Sequence, residues 1–373
     1  MSTGEARPFS SWLAQTLIRG WPMEAWQEPL DAALIWDEIR SYSDVRERGM
    51  QLFSGTRREC RDRWDALNDY ARQARAYYEA LEITAGTARG LLGYYFALNL
   101  AKAELVHSQP QNVINKRIGH GLSFDVGRES TIRGDAIKVT EGVFPLLYAA
   151  RTGVQLPVGT KLPVRQLLAR VPEIGREYRS AFGEEGATEV GWYRTVGDRS
   201  ENFWPIILTH ASEEELRKRY EFSALDRAFE VVKRPSRWRQ PFPEIGMRFE
   251  PLTLLQGRVV FTGTADTPPH YDCVEVARQA LGSSLEAPMN GFGDFLMSPS
   301  MYKTKNFPMS PFLARYALMF YLSSLVRYRP SRLNPAREQL TVWLLEAFAR
   351  QSPQVLLANG LEGIIQRSVV FNA

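Results

Sequence analysis

The sequence predicts a mainly helical protein in which helices from the two ends of the chain form one bundle, with a mixed α/β segment inserted between them. Three observations carry this expectation. LLGYYFALNLAKAELV, residues 91–106, is apolar around most of its helical circumference. PFLARYALMFYLSSLVRY, residues 311–328, is nearly as apolar. Between them, from about 125 to 300, apolar segments become short, rich in β-branched residues and broken by Gly and Pro. A helix apolar on every side needs neighbours on every side, so the two are expected to pack together. The expected segments are 1–55, short helices covering the bundle; 56–124, bundle helices and a basic loop; 125–305, the mixed α/β insertion; and 306–373, C-terminal bundle helices.

Taken in order, residues 9–53 hold short amphipathic pieces rich in tryptophan, with Trp12, Trp21, Trp26 and Trp36, and are expected to wrap the bundle. The first long helix begins at Thr56, because Thr56 and Glu59 have capping-box spacing. Trp64, Leu67, Ala71, Ala74, Tyr78 and Leu81 then recur at steps of three and four, which gives one apolar stripe. The opposite face carries Arg57, Arg61, Asp65, Arg72 and Arg75 and reads as a solvated outer face.

Gly86 and Gly90 mark the next junction, and a central helix runs from about 88 to 106. On it Asn99 and Lys102 need partners, and Pro110 ends it. In the middle segment, strands are predicted at 136–140, 189–196, 229–233, 247–252 and 258–262, with helical pieces near 164–170 and 212–220. After 306, Ser310-Pro311, Asn334-Pro335 and Ser352-Pro353 each place a good N-cap before a proline, and three helix starts are predicted there.

Composition narrows the function. Lys and Arg number 46 against 42 Asp and Glu, a net charge of +4, which permits an anionic partner without requiring one. Cys60 and Cys273 form no CxxC pair, so a disulfide scaffold or structural zinc is not expected, and a reducing cytoplasm fits best. The opening MSTGEARPFSSW shows no signal-peptide pattern, and the longest apolar run falls short of the ~20 residues that span a bilayer. Gly159-Thr160-Lys161 does not complete a P-loop, Gly291-Phe292-Gly293 does not continue to GxGxxG, and neither HExxH nor GxSxG occurs. No cofactor and no metal are expected.

The segments ARQARAYYEAL, LLGYYFALNLAKAELV, GHGLSF and SPFLARYALMFYLSSLVRYRPSRL, in that order along the chain, resemble the YaaC-like family of bacterial proteins. That family is similar to the HEPN superfamily of helical bundles, many of which bind or cleave RNA. The resemblance implies a HEPN-like bundle, and by analogy a role in bacterial stress or anti-phage defence. HEPN ribonucleases carry an arginine followed four to six residues later by a histidine. The best counterpart of that arginine here is Arg327, but RYRPSRLNPAR contains no histidine, so the nuclease motif is incomplete.

Three groups of residues are candidate sites. Asn115, Lys116, Arg117 and His120 form a basic loop between glycines. It reads first as a loop fixed by backbone bonding, second as a phosphate site, and last as an acid–base pair acting on a phosphodiester. Arg327, with Tyr328, Arg329 and Arg332, ends the second apolar helix, where the helix dipole alone favours cations. If Arg327 approaches His120, the two rebuild a HEPN-like pocket from separate segments. Lys233, Arg234, Arg237, Trp238 and Arg239 combine cations with an aromatic face, the pairing that single-strand binders use. His270, Asp272 and Cys273 supply too few ligands for a metal site.

Three functions follow. The first is a non-catalytic effector or subunit that binds RNA, single-stranded DNA or a partner protein. The second is a metal-independent ribonuclease using Arg117, His120 and Arg327. The third is a structural subunit of a larger complex, docking through its tryptophan-rich start. Whether the protein is an enzyme stays open at this point.

Overall fold

A computed structural model describes residues 6–8, 23–26, 31–114, 118–124, 131–196, 203–209, 213–220, 229–231, 259–263, 285–286, 295–301 and 309–371. The described residues are mainly helical, with three sheets. Helix α1 spans Ala32–Ser43 and α2 spans Arg57–Glu82; the central α3 spans Arg89–Ser108. Shorter helices follow, among them α4 over Val143–Thr152 and α5 over Gly175–Phe182. The chain ends with α6 over Pro311–Tyr328 and α7 over Pro335–Ile365.

The capping box at Thr56 is formed: its hydroxyl accepts from the Glu59 amide at 3.3 Å, and the Glu59 carboxylate accepts from the Thr56 amide at 2.8 Å. The α2 stripe from Leu67 to Leu81 is buried, and its outer face carries exposed i,i+4 ion pairs such as Arg75–Glu79. At the stripe's start, Trp64 Nε1 donates to the Tyr42 carbonyl and Asn68 to that of Ser43, which fastens the end of α1 onto α2.

Helix α3 is the hub, packed by α2, α4, α6 and α7. The two apolar helices from opposite sides of the middle segment therefore lie against each other. Small residues set how closely they approach. A Cβ at Gly90 would sit 2.4 Å from Leu322 of α6, and one at Gly360 of α7 would sit 2.7 Å from Leu100. The hydrophobic core runs without a break from Ile35 through residues 132–182 to Val369, so the start of the middle segment shares the core of the bundle.

Asn99 finds its partner inside its own helix, the Tyr95 carbonyl at 2.8 Å, and Lys102 lies over the Tyr70 ring. The consequential polar group on α3 is Glu104. It is 4% exposed and held bidentately by Arg151 of α4 at 2.8 and 2.6 Å.

Ser310 and Asn334 cap α6 and α7 as expected, accepting from the amides of Leu313 and Ala336. Ser352-Pro353 does not start a helix; α7 runs through it. Pro353 has no N–H for the Ala349 carbonyl one turn earlier, but Arg89 Nε donates to that oxygen at 3.3 Å. The Ser352 hydroxyl is also engaged, donating to Glu173 at 2.5 Å rather than capping.

The sheets follow several predicted strands. β1 (Ala6–Pro8) and β2 (Met23–Trp26) lie near the start; β3 (His120–Ser123), β4 (Ala136–Gly142) and β5 (Lys161–Pro163) form an antiparallel three-stranded sheet. Further on, β6 (Thr188–Val196), β7 (Phe203–Thr209), β8 (Phe229–Val231), β9 (Val259–Gly263), β10 (Leu285–Glu286) and β11 (Phe295–Met297) pair in the order β10-β11-β6-β7-β9-β8, and β1 pairs with β6. The last strand, β12 (Ser368–Phe371), runs parallel to β2. The strand expected at 247–252 lies outside the described residues, as do the side chains of Trp12, Trp21 and Trp26.

Candidate functional site

His120 opens β3 opposite Gly142 of β4, with an irregularity in register between His120 and Leu122. Glycine makes this crossing possible. Gly121 has φ 82° and Gly142 has φ 146°. A Cβ at Gly142 would lie 2.4 Å from the Gly119 oxygen and the Gly121 nitrogen, and one at Gly121 would lie 2.5 Å from Pro145. The space a side chain at Gly121 would need is filled by the chain itself, where β4 turns into α4. The Val143 amide closes the crossing by donating to the Gly119 carbonyl at 2.9 Å.

That crossing sets the His120 ring against the bundle. Its centroid lies 5.0 Å from Phe320 of α6 and 6.3 Å, edge to face, from Tyr94 of α3. The Tyr316 hydroxyl donates to the His120 carbonyl at 3.5 Å. The Leu122 amide donates to His120 Nδ1 at 3.4 Å, which puts the proton of the neutral ring on Nε2. Burial on its inner side lowers the His120 pKa, and the positive charge of Arg327 lowers it further. His120 is therefore neutral near pH 7.

Arg327, in the last turn of α6, is exposed. Its Nε donates to the Ser323 carbonyl at 3.3 Å, and its guanidinium lies 4.9 Å from the centre of the Tyr328 ring. No carboxylate pairs with it among the described residues. The same charge acts on Tyr94, whose hydroxyl is pushed well up in pKa by burial and is eased back by Arg327. Tyr94 is 2% exposed, and its hydroxyl has no hydrogen-bond partner among the described residues.

His120 and Arg327, which lie far apart in sequence, are thus brought within electrostatic reach of each other and of one orphan hydroxyl. Arg332 is committed elsewhere, paired at 2.7 Å with buried Asp135, which also accepts from the Tyr321 hydroxyl. Arg117 lies outside the described residues, as do Lys233, Arg234, Arg237, Trp238 and Arg239, and so do His270, Asp272 and Cys273. Among the described residues, no group of three or more His, Cys, Asp or Glu is placed to hold a metal ion.

Tyr94, Tyr316 and Phe320 were not singled out in the sequence. At helical spacing within apolar runs, such aromatics look like core, and only the neighbouring histidine distinguishes them. Gly142 likewise gave no signal beyond its place at a strand end.

These features define a mainly helical protein in which Tyr94 of the hub helix packs against His120 of β3 and against Tyr316 and Phe320 of α6. Residues 52–362 match the family described as YaaC-like Protein, and the chain belongs to the YaaC-like family. No match is found among curated proteins, and none among solved structures. Among the described residues, no helix is long and apolar enough to cross a membrane.

Proposed function

We propose that this protein is a HEPN-like, non-catalytic nucleic-acid-binding effector or subunit, cytoplasmic, taking RNA or single-stranded DNA in bacterial stress or anti-phage defence. A backbone phosphate is seated at Arg327 and His120, and Lys233, Arg234, Arg237, Trp238 and Arg239 are further nucleic-acid-binding candidates read from the sequence. The observation that carries this reading is the exposed Arg327 guanidinium, which meets no carboxylate among the described residues, within electrostatic reach of a neutral histidine. An arginine without a carboxylate, next to a donor Nε2–H, suits a phosphate oxygen. Binding is favoured over cleavage because both nearby hydroxyls, Tyr94 and Tyr316, have pKa values raised by burial and are poor acids for a leaving group.

The test is fluorescence anisotropy with labelled single-stranded oligonucleotides over a salt series. Arg327→Ala is expected to weaken binding and to flatten the slope of log K against log salt by ~0.7, one phosphate contact on a single strand. Arg234→Ala with Arg237→Ala should flatten it further. Wild-type affinity should tighten as pH falls below the ordinary histidine value of 6.5, since a bound phosphate favours the imidazolium, and His120→Ala should lose that dependence. Unchanged binding by Arg327→Ala removes the phosphate from this site. Stoichiometric co-purification of a protein without nucleic acid favours the structural-subunit reading.

The depressed His120 pKa supports a second reading. A neutral imidazole is a competent base for a ribose 2′-hydroxyl, and with Arg327, and Arg117 in the adjoining loop, it composes a metal-independent ribonuclease. RNA cleavage in excess chelator, abolished by His120→Ala, would establish it over simple binding.

A further inference from the structure

The corner between α6 and α7 carries cations that no acid neutralises among the described residues. Residues 327–340 hold Arg327, Arg329, Arg332 and Arg337 against a single acid, Glu338. That acid is spent on backbone, its carboxylate accepting from the Ile132 amide at 3.3 Å. Buried Asp135 is taken by Arg332 at 2.7 Å and by the Tyr321 hydroxyl at 2.6 Å. Arg327, Arg329 and Arg337 are exposed, and none meets a carboxylate among the described residues. The turn that carries them is ordered: the Arg332 amide donates to the Arg329 carbonyl at 3.0 Å, and the Arg337 amide to the Asn334 carbonyl at 3.0 Å.

An aromatic ring stands among these cations. Tyr328 is 65% exposed, and it is the only exposed Tyr, Trp or Phe among the described residues. The Arg327 guanidinium lies 4.9 Å from its ring centre, so the ring adjoins the group on which a phosphate is seated. The α6 dipole favours cations at its own end, but it gives no reason for a ring left in water or for Arg337 beyond the turn.

We propose that this corner is a base-stacking subsite for single-stranded nucleic acid: a base lies on the Tyr328 ring, and the flanking phosphates run from Arg327 to Arg329 and Arg337. This rests on the phosphate seat at Arg327 and His120. A free strand offers an unstacked base, whereas a duplex keeps its bases stacked on one another and out of the ring's reach. Because every base has a face to stack, the corner selects the state of the strand and not its sequence.

The experiment titrates full-length protein by fluorescence anisotropy with a labelled oligoadenylate, an abasic strand of the same length, and the oligoadenylate paired in a duplex. Tyr328→Ala is expected to weaken oligoadenylate binding about tenfold, the loss of one base stack, and to leave the slope of log K against log salt unchanged. Tyr328→Phe, which keeps the ring, should bind as wild type does. Neither the abasic strand nor the duplex should register Tyr328→Ala. Arg329→Ala and Arg337→Ala should each flatten the slope by ~0.7. The proposal is overturned if Tyr328→Ala binds oligoadenylate as tightly as wild type, if the abasic strand suffers the same loss, or if either arginine variant keeps the wild-type slope. Weakening by Arg327→Ala without weakening by Tyr328→Ala removes the stacking subsite alone; weakening by neither removes the phosphate seat with it.

Discussion

His107, in the last turn of α3, shows how much one buried side chain contributes to pH behaviour. Its ring packs 4.8 Å from Phe53, and its Nε2 is buried without a hydrogen-bond partner among the described residues. Burial pulls its pKa from 6.5 down to about 4, against a backbone hydrogen bond to Ile364 and with help from Arg63. The unfolded chain therefore binds a proton that the folded chain refuses between these values. Stability from this group is full above pH 6.5 and falls as pH drops toward 4, by roughly 3 kcal/mol in all. Urea unfolding of wild type and His107→Leu across this range should show the wild-type curve falling more steeply with acid; parallel curves would refute the assignment. At this scale little was legible in the sequence. His120 and Arg327 stood out as residue types, but Glu104 and Tyr94 were hidden inside an apolar run, where spacing alone marks them as ordinary helix positions. Their partners, Arg151 and the orphan environment at His120, come from segments far away in the chain.

Among the elements, α7 holds the clearest lesson. Ser352-Pro353 has the signature of a helix start, and the helix nevertheless continues, because what a proline removes is local and what replaces it is not. The carbonyl that Pro353 leaves bare is taken by Arg89, which also donates to Leu81 and Thr84 at the end of α2 at 2.7 and 3.0 Å. One guanidinium thus joins the end of α2, the start of α3 and the middle of α7. Arg89→Ala should lower stability by about 2–3 kcal/mol, in the range of hydrogen bonds to a charged group, and Arg89→Lys should not restore it, since an ammonium lacks the fork. Denaturant midpoints measure both. Local signals were otherwise reliable: the Thr56 box, the α2 stripe and the caps at Ser310 and Asn334 depend on residues within one turn of each other. The packing of α3 on α6 was also legible, because a helix without a polar face has few ways to satisfy itself.

Across the whole molecule, a buried ionic network binds the helices. Glu173 pairs bidentately with Arg315 of α6 at 2.8 and 2.6 Å and accepts from Ser352 of α7. Arg315 reaches Asn359 at 3.4 Å; the carbonyl of Asn359 accepts from Arg151, which holds Glu104 of α3. Burial alone would raise the Glu173 pKa, but the Arg315 charge and hydrogen bonds from Arg315 and Ser352 overcome it and hold the carboxyl below its ordinary value. Removing one partner leaves the other charge in a dry site, so Glu173→Gln should cost about 3–5 kcal/mol, while Glu173→Gln with Arg315→Met should recover a large part of it. A double-mutant cycle with no recovery would show that the network is not coupled in this way.

The pairing of β2 with β12, and of α3 with α6 and α7, has a consequence for how the protein is made. When Arg89–Ser108 leaves the ribosome, the segments that will cover two of its sides have not been translated, and residues 109–310 come first. At ~5–20 residues per second that interval is roughly ten seconds or longer, during which a greasy rod stands uncovered in a crowded cell. Nascent chains halted before Pro311 should therefore be captured by holdase chaperones and should aggregate when released without them. Full-length chains should not. For this protein, the amino-terminal half waits on its own tail.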